Sequence, residues 1–185
     1  MPVMPIQVST ATAADSAEVA AVAARTFPLA CPPSSTPEDI AAFIAANLST
    51  SNFDEYIREH RVLAARENDV IVGYAMLVDG VAEDPDVQRA VTLRPAMQLS
   101  KMYVLPEFHQ AGVAGALMDA ALAEAAARGA TGVWLGVNQE NERAQRFYAK
   151  HGFNRSGTKT FQVGERLEND YVMQRVIENS VAAPH

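Results

Sequence analysis

Between Lys101 and Phe153 the chain contains KMYVLPEFHQAGVAGALM and, further on, WLGVNQENERAQRFYAKHGF. That order admits few folds. Leu99, Met102, Val104 and their neighbours make an apolar strand that Pro106 ends, because the residue before a proline is pushed out of helical backbone. Residues 112–128 are rich in Ala and Leu, both strong helix formers, and Gly129 supplies the C-terminal stop. Residues 131–137 are strand-like. Residues 141–150 then form a helix on which Ala144, Phe147, Tyr148 and His151 share a face by their i, i+3, i+4, i+7 spacing, and Gly152 ends it. Strands alternating with helices in this way place the chain in the α/β class.

Upstream, residues 6–10 (IQVST) alternate like a strand, and residues 11–25 read as an Ala-rich helix started by Thr12 or Asp15. Pro28, Pro32, Pro33 and Pro37 exclude a continuous helix beyond it. Thr36 caps a second helix, with Pro37 in its first turn and Glu38 and Asp39 at its positive end, running to about Leu48. A shorter helix is expected over 53–59. Residues 61–66 and 70–78 are strands, and Glu67-Asn68-Asp69 between them signals a hairpin. Residues 81–94 are polar and acidic and read as a loop; residues 153–163 and 170–177 close the chain as a hairpin joined through GERLEN. No repeat or long linker divides the 185 residues, so 1–185 is expected to be one domain that needs no disulfide or metal to stabilise it.

Charge and cysteine content narrow the function. The 15 basic and 22 acidic residues leave a net charge of −7, which excludes a general basic surface for nucleic acid. An acidic protein that binds an anionic cofactor must use backbone donors and a few placed cations, while its overall field attracts a cationic substrate. The single cysteine, Cys31, excludes an internal disulfide framework and a Cys-based zinc cluster; no metal is expected. No apolar run has membrane length and no basic segment precedes the Ala-rich start, so neither a spanning segment nor a signal peptide is expected, and the cytoplasm is the default location.

The chemistry starts at the turn after Pro106. Ala111, Gly112, Ala114 and Gly115 let a ligand approach the main chain, and amides at a helix start point outward with the positive end of the helix dipole. A diphosphate fits such a site. The same small residues also suit a tightly packed strand-to-helix connection. A dinucleotide-binding Rossmann unit would need GxGxxG after the first strand, and IQVST is followed by no such turn.

His109-x-x-Gly112-x-Ala114 resembles the (Gln/Arg)-x-x-Gly-x-(Gly/Ala) motif of the GNAT superfamily of N-acetyltransferases, with His109 where the family usually has Gln or Arg. Asn138, Asn141, Ala144, Phe147-Tyr148, Lys150 and Gly152-Phe153 resemble its N-x-x-N-x-x-A-x-x-F-Y-x-K-x-G-F signature. The tail FQVGERLENDYVMQRVI, the WLGVNQEN turn and the TF…TPEDIAAFI entry look like the PaiA-type branch, whose members acetylate polyamines such as spermidine and spermine.

The resemblance implies a mixed, mostly antiparallel sheet of six to seven strands, flanked by about four to five helices, with two splayed central parallel strands. It implies acetyl-CoA as acyl donor and coenzyme A as product. The pantetheine arm would bond the backbone around Met102, Tyr103 and Val104. The diphosphate would lie on the turn and helix start formed by His109, Gln110, Ala111, Gly112, Val113, Ala114 and Gly115. Asn138 and Asn141 would contact the pantetheine region, and Arg143 and Lys150 would meet phosphates, unless they only solvate a helix face. Tyr148 would protonate the departing thiolate; a phenol with an ordinary pKa near about 10 holds its proton at neutral pH. The plainer alternative for Tyr148 is a core residue on an amphipathic helix.

The acceptor is expected to be a small cationic amine, a polyamine first and other small amines or protein amino groups next, in a pocket that includes Phe27, Glu38, Glu83 and Gln98. A protonated amine cannot attack, so a proton acceptor is needed. Gln98 and Ser100 stand where related enzymes carry a strand glutamate. That leaves the base open among a water chain, Glu83 and Glu140, and keeps a non-catalytic acyl-CoA-binding module as an alternative. Cys31 is expected to be a small half-buried residue, since direct transfer needs no thiol. A homodimer is common in this kind of fold.

Overall fold

The computed structural model describes residues 5–178. Strand β1 (Gln7–Thr10) pairs antiparallel with β2 (Arg61–Glu67), and β2 with β3 (Val70–Asp79). Glu67 sits opposite Val70, so only Asn68 and Asp69 form the loop, with φ of 51° and 66°. Two residues in the left-handed region make the primed turn whose twist matches that of the flanking strands. Strand β4 (Ala96–Val104) runs antiparallel to β3, with a bulge that leaves Ser100 opposite no residue between the Lys101–Met76 and Leu99–Leu77 pairs.

The central feature is the next pair. Strand β5 (Gly132–Asn138) is parallel to β4, and the two are paired at Ala96–Gly132, Met97–Val133 and Gln98–Trp134 before they part. Beyond β5 come β7 (Arg166–Val176) and β6 (Asn154–Val163), both antiparallel, which gives the order β1-β2-β3-β4-β5-β7-β6.

Among the described residues six α-helices accompany this sheet, one more than the upper expectation: α1 (Ser16–Ala30), α2 (Pro37–Asn47), α3 (Thr50–Glu59), α4 (Pro85–Ala90), α5 (Val113–Ala127) and α6 (Glu142–Lys150). Helices α3 and α5 cover opposite faces. A Cβ on Gly73 would lie 3.2 Å from Leu117 of α5, whereas Tyr74, the next residue, meets Phe53 of α3 edge-on with centroids 5.4 Å apart. The main core between these layers includes Val19, Phe53, Tyr74, Leu77, Leu117 and Met118. A second cluster of Val87, Val91, Trp134 and Val172 lies at the β4–β5 junction, where Trp134 Nε1 donates to Gly80 O at 3.0 Å. No helix among the described residues is long and apolar enough to cross a membrane.

Three elements depart from the sequence expectation. Helix α1 runs five residues past Arg25 and includes Pro28, which falls in its last turn and there forfeits a single helical amide. What holds this end is Phe27, whose ring stacks on Phe43 of α2 at 4.5 Å and 10°. The segment 81–94 contains α4, started by Asp84, whose side chain accepts from the Asp86 amide, with Pro85 in the first turn. GERLEN is largely strand: Val163 pairs with Arg166, Gly164 turns with φ of 62°, and the ladder resumes at once.

Candidate active site

A cavity of about 650 Å³ opens where β4 and β5 part. Its walls come from α1, α2, β4, the start of α5, the end of β5, α6 and the β6–β7 hairpin.

At one side lies the first turn of α5. Gly112 precedes the helix with φ of 79°, a conformation costly for any residue with a Cβ. The first helical bond runs from the Ala116 amide to Gly112 O at 3.0 Å, which leaves the amides of Val113, Ala114 and Gly115 without an intrahelical acceptor. A Cβ on Gly112 or Gly115 would meet nothing within 4 Å, so the space in front of these amides is open. His109 braces the turn through a 2.9 Å contact between Nε2 and Val104 O. Of the expected residues here, His109, Gly112, Ala114 and Gly115 line the cavity. Gln110 and Ala111 face solvent, and the Ala111 amide donates to Phe108 O at 3.1 Å; it is not an open donor. The Val113 side chain is fully buried in the core, so its contribution is its amide alone.

Helix α6 forms another wall. Asn141 caps it by accepting from the Ala144 amide at 3.1 Å, and Asn138 Oδ1 accepts from the Glu140 amide at 2.8 Å. Buried Gln145 fixes the turn further: its Nε2 donates to Asn138 O and Gln139 O, and its Oε1 accepts from Arg155 at 2.8 Å. Tyr148 lines the cavity with its ring edge-on to Phe147 (5.6 Å) and Phe153 (5.9 Å). Burial pushes its phenol up to about 12. Arg143 and Lys150 are exposed at the cavity margin.

On β4, Gln98, Ser100, Met102, Tyr103 and Val104 all contribute, as does Lys101, whose Nζ lies 5.5 Å from the Tyr56 ring centroid and whose pKa burial lowers. Burial, with the nearby Tyr148, Cys31 and Asp170, raises the Tyr103 phenol well above its ordinary value. Phe27 and Cys31 complete this wall. The Cys31 thiol donates to Phe27 O at 3.4 Å and is pushed up to about 11 by burial and then by Glu168, so it stays protonated at neutral pH and is a poor nucleophile.

Two acids absent from the sequence-based site set line the cavity: Glu168 and Asp170 of β7. Lys159 of β6 approaches Asp170 Oδ2 at 3.4 Å, passing over Gly136, where a Cβ would lie 2.6 Å from Lys159 Cε. Burial raises the Asp170 pKa, Lys159 opposes the rise and Glu168 adds to it. Acids at i and i+2 share a strand face, and this was the available signal; reading GERLEN as a loop hid it. The acids chosen instead lie elsewhere. Glu38 is exposed in the first turn of α2, Glu83 is exposed beside α4 at the Trp134 end of β5, and Glu140 is exposed in the turn before α6; none lines the cavity.

The acetyltransferase (GNAT) family profile matches residues 24–153. The chain belongs to this family. As a GNAT N-acetyltransferase it is 56% identical over 163 residues to uncharacterized N-acetyltransferases of Mycobacterium bovis and Mycobacterium tuberculosis, covering 87% of this chain and 97% of each relative. Its fold is similar to that of the PaiA N-acetyltransferase of Thermoplasma acidophilum solved with coenzyme A (TM-score 0.74, 18% identity, 94% of this chain and 99% of that one). It is also similar to a GNAT acetyltransferase of Streptococcus pneumoniae (TM-score 0.65, 18% identity, 94% and 100%). The parted β4 and β5 of this enzyme are the splayed parallel strands that the resemblance implied.

Proposed function

We propose that this enzyme transfers the acetyl group of acetyl-CoA directly to a small cationic amine in the cytoplasm, with polyamines such as spermidine and spermine the favoured acceptors. The observation that carries this reading is that one cavity is lined by an open helix N-terminus, a phenol and two buried carboxylates.

The residues present fit the donor. The amides of Val113, Ala114 and Gly115 face open space at the positive end of α5, where a diphosphate gains both hydrogen bonds and dipole. The backbone of Met102, Tyr103 and Val104 has no strand partner on the β5 side and is available to the pantetheine amides. Asn138 and Asn141 border that slot, and Arg143 and Lys150 stand at its margin as cations for the phosphates. Bound there, acetyl-CoA supplies an activated acetyl thioester. Tyr148 holds its proton at neutral pH and donates it to the leaving sulfur. Phe27 and Gln98 border the acceptor side. The acidic wall, the net charge of −7 and the likeness in fold to a PaiA enzyme all favour a cationic acceptor over an acidic one.

Thiol release from acetyl-CoA, followed with spermidine, spermine, a primary monoamine and a peptide amine, tests the reading. Acceptor-dependent release that is fastest with the polyamines is expected. Equal rates across the panel would remove the polyamine preference, and no release with any amine would remove the transfer reaction.

A further inference from the structure

We propose that Glu168 and Asp170 form the seat of the acceptor amine, and that Glu168 takes the proton the amine must lose before it attacks. The proposal rests on the acetyltransferase function above and supplies the base that β4, with Gln98 and Ser100, lacks.

Strand β7 presents the two side chains two residues apart on one face, into the cavity. They are 8% and 6% exposed, and Glu168 Oε1 and Asp170 Oδ1 accept no hydrogen bond. A buried polar group left without a partner is costly, more so when charged, so two such oxygens on one strand face fit a bound group that supplies donors. An ammonium brings three donors and a positive charge.

The two acids are not equivalent. Asp170 is engaged by Lys159 at 3.4 Å, on a side chain only 14% exposed. The cation beside Glu168 is Arg166, with Nε 3.6 Å from Oε1 on a side chain 42% exposed, where water weakens the attraction. The neighbouring thiol and phenol, Cys31 and Tyr103, are held neutral by burial. The interior of the seat therefore sets two carboxylates against one ammonium and has room for a second cation, with Glu168 the acid whose charge is less engaged. Lys101, the cavity's other inward lysine, lies over the Tyr56 ring on the α3 side.

The step balances without another reagent. The acceptor's ammonium gives one proton to a Glu168 carboxylate oxygen, and the freed nitrogen pair forms the C–N bond to the acetyl carbon as the C–S bond breaks. The sulfur leaves with that bond's electrons and takes a proton from Tyr148, which recovers one from the nitrogen of the new amide. Glu168 then passes its proton to water.

The test compares wild type, Glu168→Gln and Asp170→Asn. Calorimetry measures binding of spermidine, spermine and a primary monoamine without acetyl-CoA, and separately binding of acetyl-CoA; thiol release then gives turnover. In Glu168→Gln, amine binding is expected to weaken about tenfold and kcat to fall about 100-fold, with acetyl-CoA affinity, the check on folding, unchanged. Asp170→Asn should weaken amine binding with a smaller effect on kcat. Amine binding and turnover of Glu168→Gln within about threefold of wild type would overturn the proposal, as would a wild type that binds acetyl-CoA and none of the amines. A wild type that binds amines through Glu168 but no acetyl-CoA would instead overturn the donor assignment and leave the seat in place.

Discussion

Lys159 reaches over Gly136 to place its Nζ 3.4 Å from Asp170 Oδ2, and it can do so because residue 136 has no side chain. This pair tempers a carboxyl whose pKa burial raises above 3.8, and the sign of that shift sets a pH dependence. A folded state that binds this proton more tightly than the unfolded chain loses stability as pH rises from the ordinary value through the raised one. Asp170→Asn removes that loss. Urea unfolding at several pH values should show the variant gaining stability relative to wild type across that window and levelling off above it; a difference that does not change with pH would contradict the assigned shift.

Tyr148→Phe should leave the acetyl-CoA dissociation constant near that of wild type and lower kcat by about 100-fold, since the proposed role of the phenol is proton transfer to the leaving sulfur and not cofactor binding. Because burial pushes the phenol up to about 12, the wild-type rate profile should show no alkaline decline from this group in the neutral range. Turnover unchanged in the variant would return Tyr148 to the role of a packed residue between Phe147 and Phe153.

Lys101 is a cation on the wall of the cavity proposed to receive a cationic acceptor. Burial lowers its pKa, which means the folded state pays a desolvation penalty wherever the amine is charged, that is, below its lowered pKa. Lys101→Met should therefore raise the melting temperature at neutral pH and lower the KM for spermine more than for a monoamine. A melting temperature that falls would show that the cation above the Tyr56 ring stabilises the fold instead.

Local chemistry explains which parts of this molecule were legible in its sequence. The cap of α6 by Asn141, the cap of α2 by Thr36, the Asn68-Asp69 turn and the Gly129 stop each depend on residues within a few positions of one another. Phe27, Gln98 and Tyr148 line the cavity as expected, because motif and segment place them on the elements around the β4–β5 opening. The i, i+2 spacing of Glu168 and Asp170 puts them on one strand face only if GERLEN is strand, and that, with their burial, is decided by the pairing of β7 with β5 and β6. Glu38 and Glu83 belong to segments expected to border the acceptor pocket, but a carboxylate with no fixed partner favours solvent, where both lie. Pro28 within α1 has the same origin: the stacking of Phe27 on Phe43, remote in sequence, outweighs one lost helical bond.

Gly115 separates the structural from the binding demand on the α5 turn. It lies within the helix, unlike Gly112 with its φ of 79°, and a Cβ there would meet nothing within 4 Å. Glycine inside a helix costs about 1 kcal/mol relative to alanine, so packing and propensity both favour a larger residue. Gly115→Ala should therefore hold or raise the melting temperature. A bulkier Gly115→Leu should also fold, yet it fills the space in front of the open amides and should weaken acetyl-CoA binding about tenfold or more by calorimetry. Gly112→Ala should do the reverse in part, lowering stability through its left-handed backbone by about 1 kcal/mol. If Gly115→Leu binds acetyl-CoA as tightly as wild type, the diphosphate does not lie on the start of α5.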